Sequence, residues 1–363
     1  MFYLDPSLPN VHLIIFYRNF MKLDDKFCHI GLGVNALHTA RVLRRYKIHV
    51  DIHGVRHPHE IVEILNKTPT CTHALIEAPW IQTPILNSWC LQYPSVHFIV
   101  RSHSQVGFLV VEPGAINLIR DDILLQESQL NFTLSGNSKQ FKEWIETSYS
   151  GHVLYLPNLY DFDRAFVKKD FTHDHKLLRV SSFGALRLLK NHTTAAAAAL
   201  MIAKQRNCDL EFHISANREE GITGGVVARA IRNMMGNLPG VKLIEDGWKN
   251  WAEFRRLVAT MDLAIQVSHT ETFNIATADA TAEGVPSVVT PAIEWAPKHW
   301  QADPDDVEEI ARIGNSLLWS DRAAAEGLKA LQQFQKEAVQ IWLQYLGGQP
   351  FAHHSGNVVE NHH

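Results

Sequence analysis

The sequence predicts an α/β protein of two doubly wound domains that face each other across a cleft. Three observations lead there. Short apolar runs alternate with longer stretches of helical period along most of the chain, the pattern of a parallel sheet covered by helices. The alternation runs twice, interrupted from Pro157 to His175 by a polar stretch with aromatic interruptions and a Lys168-Lys169-Asp170 cluster. The 363 residues also exceed what one compact core usually supports.

In the first half the strand candidates are Val11–Phe16, Ile48–Ile52, His73–Ile76, Val96–Val100, Asn131–Leu134 and His152–Leu156. Helical candidates between them include Ala36–Arg45, His59–Asn66, Pro84–Leu91 and Ser138–Thr147. In the second half, strands are expected at Leu178–Phe183, Leu210–Ile214, Val241–Ile244, Leu263–Val267 and Ser287–Val289. Helices are expected at His192–Lys204, Val226–Met235, Trp251–Thr260, Asn274–Ala282 and Asp305–Trp319. The alanines Ala195–Ala199 suit a helix lying close on a sheet, since alanine combines high helix propensity with small bulk. A last long helix follows at about Arg322–Tyr345.

The domain division read from this pattern is an N-terminal domain over 1–157, a linker over 158–176 and a C-terminal domain over 177–320. A C-terminal helix over 321–346, returning to the N-terminal domain, and a mobile Gly-, His- and Asn-rich tail over 347–363 complete it.

Composition narrows the class. Hydrophobic residues make up 46% and charged residues 20%, so the bulk of the chain is globular. A net charge of −4 supplies no global field for a polyanion, although Arg41, Arg44, Arg45, Arg56 and Arg101 leave room for a local patch. Cys28, Cys71, Cys90 and Cys208 are scattered, as reduced structural thiols of a cytoplasmic protein are. No apolar run reaches membrane-spanning length. The histidine groups His53, His57 and His59, and His353, His354, His362 and His363, lack acid or cysteine companions at structural-site spacing, so no metal site is expected.

In open parallel sheets, ligands bind beyond the carboxyl ends of the strands. The strongest motif lies at such a place. Ser268-His269-Thr270-Glu271-Thr272-Phe273-Asn274 follows an apolar run and enters a helix carrying Asp279, and Glu283-Gly284-Val285-Pro286 closes it. A helix start offers free N–H groups and a positive dipole end, which suit a diphosphate. Glu271 just before it can accept hydrogen bonds from sugar hydroxyls, and Asp279 two turns on can hold a ribose diol. Phe183-Gly184-Ala185-Leu186-Arg187-Leu188-Leu189-Lys190-Asn191 ends the first strand of the second half. Gly184 permits close backbone approach, and Arg187 and Lys190 supply cations to an anion. In the first half, Gly31-Leu32-Gly33-Val34-Asn35 reads as a glycine-rich loop before a helix. It also admits a nicotinamide-binding loop, although Ala36 stands where such a loop carries its third glycine.

Together these segments resemble the retaining GT-B glycosyltransferases. Glu271 and Asp279 are similar to that family's E-x7-E pair, with aspartate in the second place. The stretch Gly184 to Lys190 is similar to its G-R-L-x-x-x-K-G segment, with Ala185 at the usual arginine place. Arg101-Ser102-His103-Ser104 looks like the segment carrying the family's histidine near the reacting sugar. Pro157-Asn158-Leu159-Tyr160-Asp161 resembles the P-N-G-x-D segment that ends its first domain.

The resemblance implies two Rossmann-like domains across a cleft, an acceptor domain first and a donor domain second. It implies transfer of a sugar, with retention and without metal or other cofactor, from a nucleoside-diphosphate sugar to a hydroxyl. Catalytic roles fall to His103, Glu271 and Lys190. Donor contacts fall to Gly33, Gly184, Arg187, Lys190, Glu271, Thr272, Phe273, Asn274 and Asp279. The acceptor is a saccharide, a lipid-linked precursor, or a hydroxymethylated base of phage-type modified DNA. A sugar-nucleotide epimerase of the same fold, a non-catalytic nucleotide-binding module and a nicotinamide oxidoreductase are the alternatives, and the oligomeric state is not legible.

Overall fold

The structure, a computed structural model, describes residues 10–19, 31–162, 176–215, 224–247 and 249–347. Most of the expected linker, the tail beyond Gly347 and Trp248 lie outside them.

Strand β1 (His12–Arg18) is buried along almost its whole length. A continuous apolar run of this kind is what a parallel strand covered on both faces requires. It sits between β2 (His49–Val55) and β3 (His73–Glu77), with Ile15 opposite Ile52 on one side and Leu75 on the other. Strands β4 (His97–Ser102), β5 (Phe132–Gly136) and the two-residue β6 (Leu154–Tyr155) extend the sheet to the order β2-β1-β3-β4-β5-β6, all parallel. The second sheet comprises β7 (Leu177–Ser182), β8 (Asp209–Ser215), β9 (Val241–Asp246), β10 (Leu263–Gln266) and β11 (Ser287–Val289). Its order is β11-β10-β7-β8-β9, again all parallel. Two doubly wound α/β units are thus present, as expected.

Helices α1 (Gly31–Arg45), α2 (Pro58–Lys67), α3 (Thr83–Gln92), α4 (Pro113–Ser128) and α5 (Lys139–Tyr149) accompany the first sheet. Ser138 caps α5 by accepting from the Phe141 N–H at 3.1 Å. Helices α6 (His192–Arg206), α7 (Gly224–Met235), α8 (Trp251–Val258), α9 (Ile275–Ala282) and α10 (Val307–Trp319) accompany the second. In α6 the alanines Ala195, Ala196, Ala198 and Ala199 are all fully buried against the sheet.

Two features differ from expectation. Between β4 and β5 the chain forms a 3-10 turn over Val106–Val111 and then α4, whose sequence shows little segregation of apolar and polar residues. The expected glycine-rich loop at Gly31–Asn35 is instead the first turn of α1, and Gly33 is buried within it.

The last helix, α11 (Ala323–Leu346), joins the two cores. Its 24 residues span roughly 36 Å. Ala323 and Leu331 pack into the second sheet's core, whereas Ala338, Val339, Trp342 and Leu346 pack with Leu13, Ile15, Leu43 and Leu156 of the first. Gly327 has no side chain because a Cβ there would meet the buried Trp300 ring. Trp342 is fully buried and its Nε1 donates to the Pro157 carbonyl at 2.8 Å.

Trp342→Ala should therefore cost roughly 3–5 kcal/mol, the usual penalty for emptying a buried aromatic position. Equilibrium urea unfolding checks this, and a loss below about 1 kcal/mol would show that α11 is not what closes the N-terminal core.

Candidate functional site

The carboxyl ends of the two sheets face a shared cleft of about 600 Å³. The C-terminal side of it is made by two segments that hold each other. One is the turn after β7, in which Gly184 has φ 128°, a conformation that favours glycine, and Leu188–Lys190 form a 3-10 turn. The other is the loop from β10 into α9. The His269 N–H donates to Leu189 O at 3.0 Å, and Asn191 Nδ2 donates to Val267 O at 3.1 Å. This places the Lys190 ammonium in an ion pair with the Glu271 carboxylate, and Asn274 Nδ2 donates to the same oxygen at 3.2 Å.

Asn274 begins α9 with a left-handed φ of 55°, which asparagine tolerates better than most residues. Its side chain accepts from the Thr277 N–H at 2.9 Å. The positive end of the α9 dipole is thereby presented to the cleft beside Ile275 and Ala276, both of which line it. Arg187 lines the same region, with its guanidinium 4.4 Å from the ring centre of Phe108 on the N-terminal side. A cation pair, a helix start and an oriented carboxylate thus converge on one place, an arrangement suited to a pyrophosphate with a hydroxyl-rich group beside it.

The N-terminal side rests on a buried carboxylate. Glu77, at the end of β3, is fully buried and takes a two-pronged ion pair from Arg101, at the end of β4. The two positions are register partners. Burial alone would raise the Glu77 pKa, but Arg101 first and His103 second outweigh it and hold it at about 2. His103 Nε2 donates to the same carboxylate, and Asn137 Nδ2 lies 3.1 Å from His103 Nδ1. Burial, helped by Arg101, lowers the His103 pKa against the pull of Glu77, so the ring is neutral at pH 7. Asn137 Nδ2 also reaches Asn158 Oδ1 at 3.0 Å and Thr272 Oγ1 at 2.9 Å, and the Thr272 hydroxyl donates to the His103 carbonyl at 3.4 Å. Through Thr272 the two sides touch.

Of the residues singled out in the sequence, His103, Gly184, Arg187, Lys190, Glu271, Thr272, Phe273, Asn274 and Asp279 all border the cleft. Gly33 does not, although its neighbours Gly31, Leu32, Val34 and Asn35 do. Asp279 has turned its carboxylate into the protein. It is 1% exposed, and its Oδ1 accepts from Tyr160 Oη at 2.7 Å and Trp251 Nε1 at 3.0 Å. Burial raises its pKa to about 6 in spite of those bonds. Its partners complete a junction in which the His38 ring stacks on Tyr160 at 4.7 Å and meets Trp251 edge-on at 4.6 Å.

Four of the five arginines of the local basic patch are engaged within the protein, and Arg56 is exposed. Arg101 is fully buried on Glu77, Arg44 donates to Val50 O, and Arg41 and Arg45 pair with Asp161. Among the described residues, one group could hold a metal ion: His12, His49 and Asp51. It sits at the amino ends of β1 and β2, away from the cleft at the carboxyl ends.

Glu77, Asn137 and Trp251 escaped sequence reasoning as site residues. The available signal for Glu77 was an acid closing an apolar strand next to another strand that ends in Arg101. Asn137 and Trp251 carried no signal beyond their position near strand ends.

Compared with known proteins, the chain matches no protein-family model and no curated sequence. Solved structures do resemble it. Sucrose-phosphate synthase from Thermosynechococcus elongatus superposes with TM-score 0.67 at 13% identity, over 92% of this chain and 98% of that one. A UDP-forming trehalose-phosphate synthase from Burkholderia xenovorans gives TM-score 0.58 at 11% identity, over 93% and 97%. S. aureus TarM, solved with fondaparinux, alpha-GlcNAc-glycerol and UDP, gives 0.57 at 14% over 78% of this chain, which spans 58% of TarM. The chain has the two-domain GT-B fold of these glycosyltransferases.

The Glu77 pair makes a pH prediction. Its folded pKa of about 2 lies below the ordinary 4.5, so the stabilisation is complete above pH 4.5 and is lost as pH falls toward 2. Glu77→Gln leaves Arg101 buried without a counter-charge and should cost roughly 3–5 kcal/mol at pH 7. The deficit relative to wild type should shrink on acidification below pH 4.5. Urea unfolding at three pH values checks this; a deficit independent of pH would refute it.

Proposed function

We propose that the protein is a glycosyltransferase that moves a sugar from a nucleoside-diphosphate sugar to a hydroxyl acceptor, with retention of configuration. The carrying observation is the convergence of Lys190, Glu271 and the α9 start in one cleft that also holds His103 from the opposite sheet. The fold neighbours support the donor class: TarM was solved with UDP, and the Burkholderia enzyme forms UDP.

As the bond to the sugar breaks, negative charge grows on the leaving diphosphate. Lys190, Arg187 and the α9 dipole stabilise that charge without reorganising. Glu271, held by Lys190 and Asn274, orients the sugar hydroxyls. His103 positions the reacting sugar: its Nε2 proton goes to Glu77, and its Nδ1 faces the Asn137 amide, whose two hydrogens are shared among His103, Asn158 and Thr272. In the proposed reaction it is not the acceptor's base. The leaving phosphate oxygen takes the acceptor proton on the same face, which preserves the anomeric configuration and needs no metal. A sugar hydroxyl is the better acceptor reading, since four of the five arginines offered for a DNA patch, Arg41, Arg44, Arg45 and Arg101, are buried or paired within the protein.

Incubation of the protein with nucleotide sugars and a panel of saccharide acceptors, read by nucleoside-diphosphate release, tests the proposal. Release that depends on acceptor supports transfer, and acceptor-independent conversion of the donor would favour an epimerase. Lys190→Ala and Glu271→Ala should each lose on the order of 100-fold in turnover while keeping the wild-type melting temperature within a few degrees. Wild-type rates in both would sink the site assignment. The anomer of the product, read by NMR, should match the donor. An inverted product would pass the base role to Glu112, the other titratable group lining the cleft from the N-terminal side.

A further inference from the structure

The donor-site reading fixes two parts of the cleft, the diphosphate at Lys190 and Arg187 and the sugar between Glu271 and His103. The nucleoside then falls to the remaining end, lined by Phe183, Ser215, Asp246, Lys249, Phe254 and Leu257. The Phe183 and Phe254 rings stand edge to face at 5.2 Å, an apolar wall suited to a flat heterocycle. At its polar side stand one acid and one base, Asp246 and Lys249.

Asp246 is a held acceptor. It ends β9 in register with Ser215 of β8, and its Oδ2 lies 2.9 Å from His213 Nδ1. His213 Nε2 is buried with no hydrogen-bond partner. A proton on Nδ1 is used by the carboxylate, whereas a proton on Nε2 would be wasted in an apolar place, so Nδ1–H donates to Asp246. This bond restrains the carboxylate's rotation and leaves Oδ1 and the second lone pair of Oδ2 for a ligand.

A carboxylate only accepts hydrogen bonds, and its two oxygens match two neighbouring donors. Among the common bases, only guanine presents two adjacent ring-edge donors, N1–H and the N2 amine, with the O6 acceptor next to them. Uracil flanks its single N3–H with two carbonyls, cytosine and adenine place an unprotonated ring nitrogen beside their amine, and each would set a lone pair against the carboxylate. Resting on the donor-site reading above, we infer that the cleft takes a guanosine-diphosphate sugar, with Asp246 accepting from N1–H and N2–H and Lys249 donating to O6.

Isothermal titration of the full chain with GDP, UDP, CDP and ADP decides this. GDP should bind roughly 10- to 100-fold more tightly than the others, the range expected when a competitor leaves a buried polar group mispaired. In Asp246→Asn the amide turns a donor toward the guanine donors, and the preference for GDP should fall to within a few-fold, with UDP affinity retained. UDP, CDP or ADP binding as tightly as GDP to wild type would overturn the inference while leaving the donor site standing. So would an intact GDP preference in Asp246→Asn. Binding of none of the four would remove the donor-site reading and this inference with it.

Discussion

Everything on the N-terminal side of the cleft depends on one buried charge pair. Glu77 and Arg101 end adjacent parallel strands, and neither has any contact with solvent. A carboxylate so placed would protonate if it were alone, because burial penalises its charged form. Arg101 reverses that, and the ionised carboxylate then collects His103 Nε2 and, at 3.4 Å, Asn35 Nδ2 of α1. Arg101 in turn faces the ring of Trp342 at 5.1 Å, on the helix that ties the two cores together. One salt bridge thus sets the orientation of a histidine, the seat of α1 and the environment of α11. Such a pair adds little to net stability over a well-packed apolar replacement, but breaking half of it is expensive. Its value here is geometric: Glu77 fixes the His103 ring in place, while burial keeps that ring neutral against the pull of the carboxylate.

The same economy appears where the two sheets meet. Thr272 belongs to the loop that carries Glu271, yet it bonds Asn137 and the His103 carbonyl of the opposite side. Arg187 lies over Phe108. Tyr160, just past the first sheet, reaches Asp279 on α9, and His38 of α1 packs on both Tyr160 and Trp251. Burial together with Arg255 and Arg41 pushes the His38 pKa down to about 3, so this ring joins the junction as a neutral aromatic. Asp279 illustrates how local chemistry redirects a motif residue. An aspartate reaches less far than a glutamate, and here its carboxylate is met at the edge of the cleft by a tyrosine hydroxyl and an indole N–H.

The fold was legible because its strands are continuous apolar runs at ordinary spacing, and such runs have few other structures open to them. The C-terminal half of the site was legible for a related reason. Lys190, Glu271 and Asn274 occupy short segments directly after strands, where the topology of a parallel sheet forces them together. What escaped depends on pairing across the sheet or on context. Glu77 looks like any surface acid until its register with Arg101 is known. Helix α4 carries apolar and charged residues without a clean face, and the 3-10 turn before it exposes Val106, Val110 and Val111, so neither shows the usual apolar pattern. At Gly31–Asn35, two glycines suggested a loop, but glycine costs a helix only about 1 kcal/mol and is easily carried in a first turn. Gly33 is buried within that turn.

The distribution of charge between the two walls explains why this cleft suits departure of an anion better than abstraction of a proton. Among the described residues, the cations lining it, Arg187, Lys190 and Lys249, and the α9 dipole come from the C-terminal wall, where Glu271 pairs with Lys190. The N-terminal wall offers a histidine whose Nε2 is held by Glu77 and whose Nδ1 faces Asn137, and an arginine neutralised at its own strand end. An acceptor arriving from that side meets hydrogen-bonding groups and one carboxylate, Glu112, and in the proposed reaction the cations of the opposite wall face the diphosphate. In the proposed reaction the incoming hydroxyl gives its proton to the phosphate oxygen that is itself acquiring charge. Proton transfer to that oxygen places attack and departure on one face of the sugar, so retention would follow from where the protein put its charges, with burial and Arg101 holding His103 neutral.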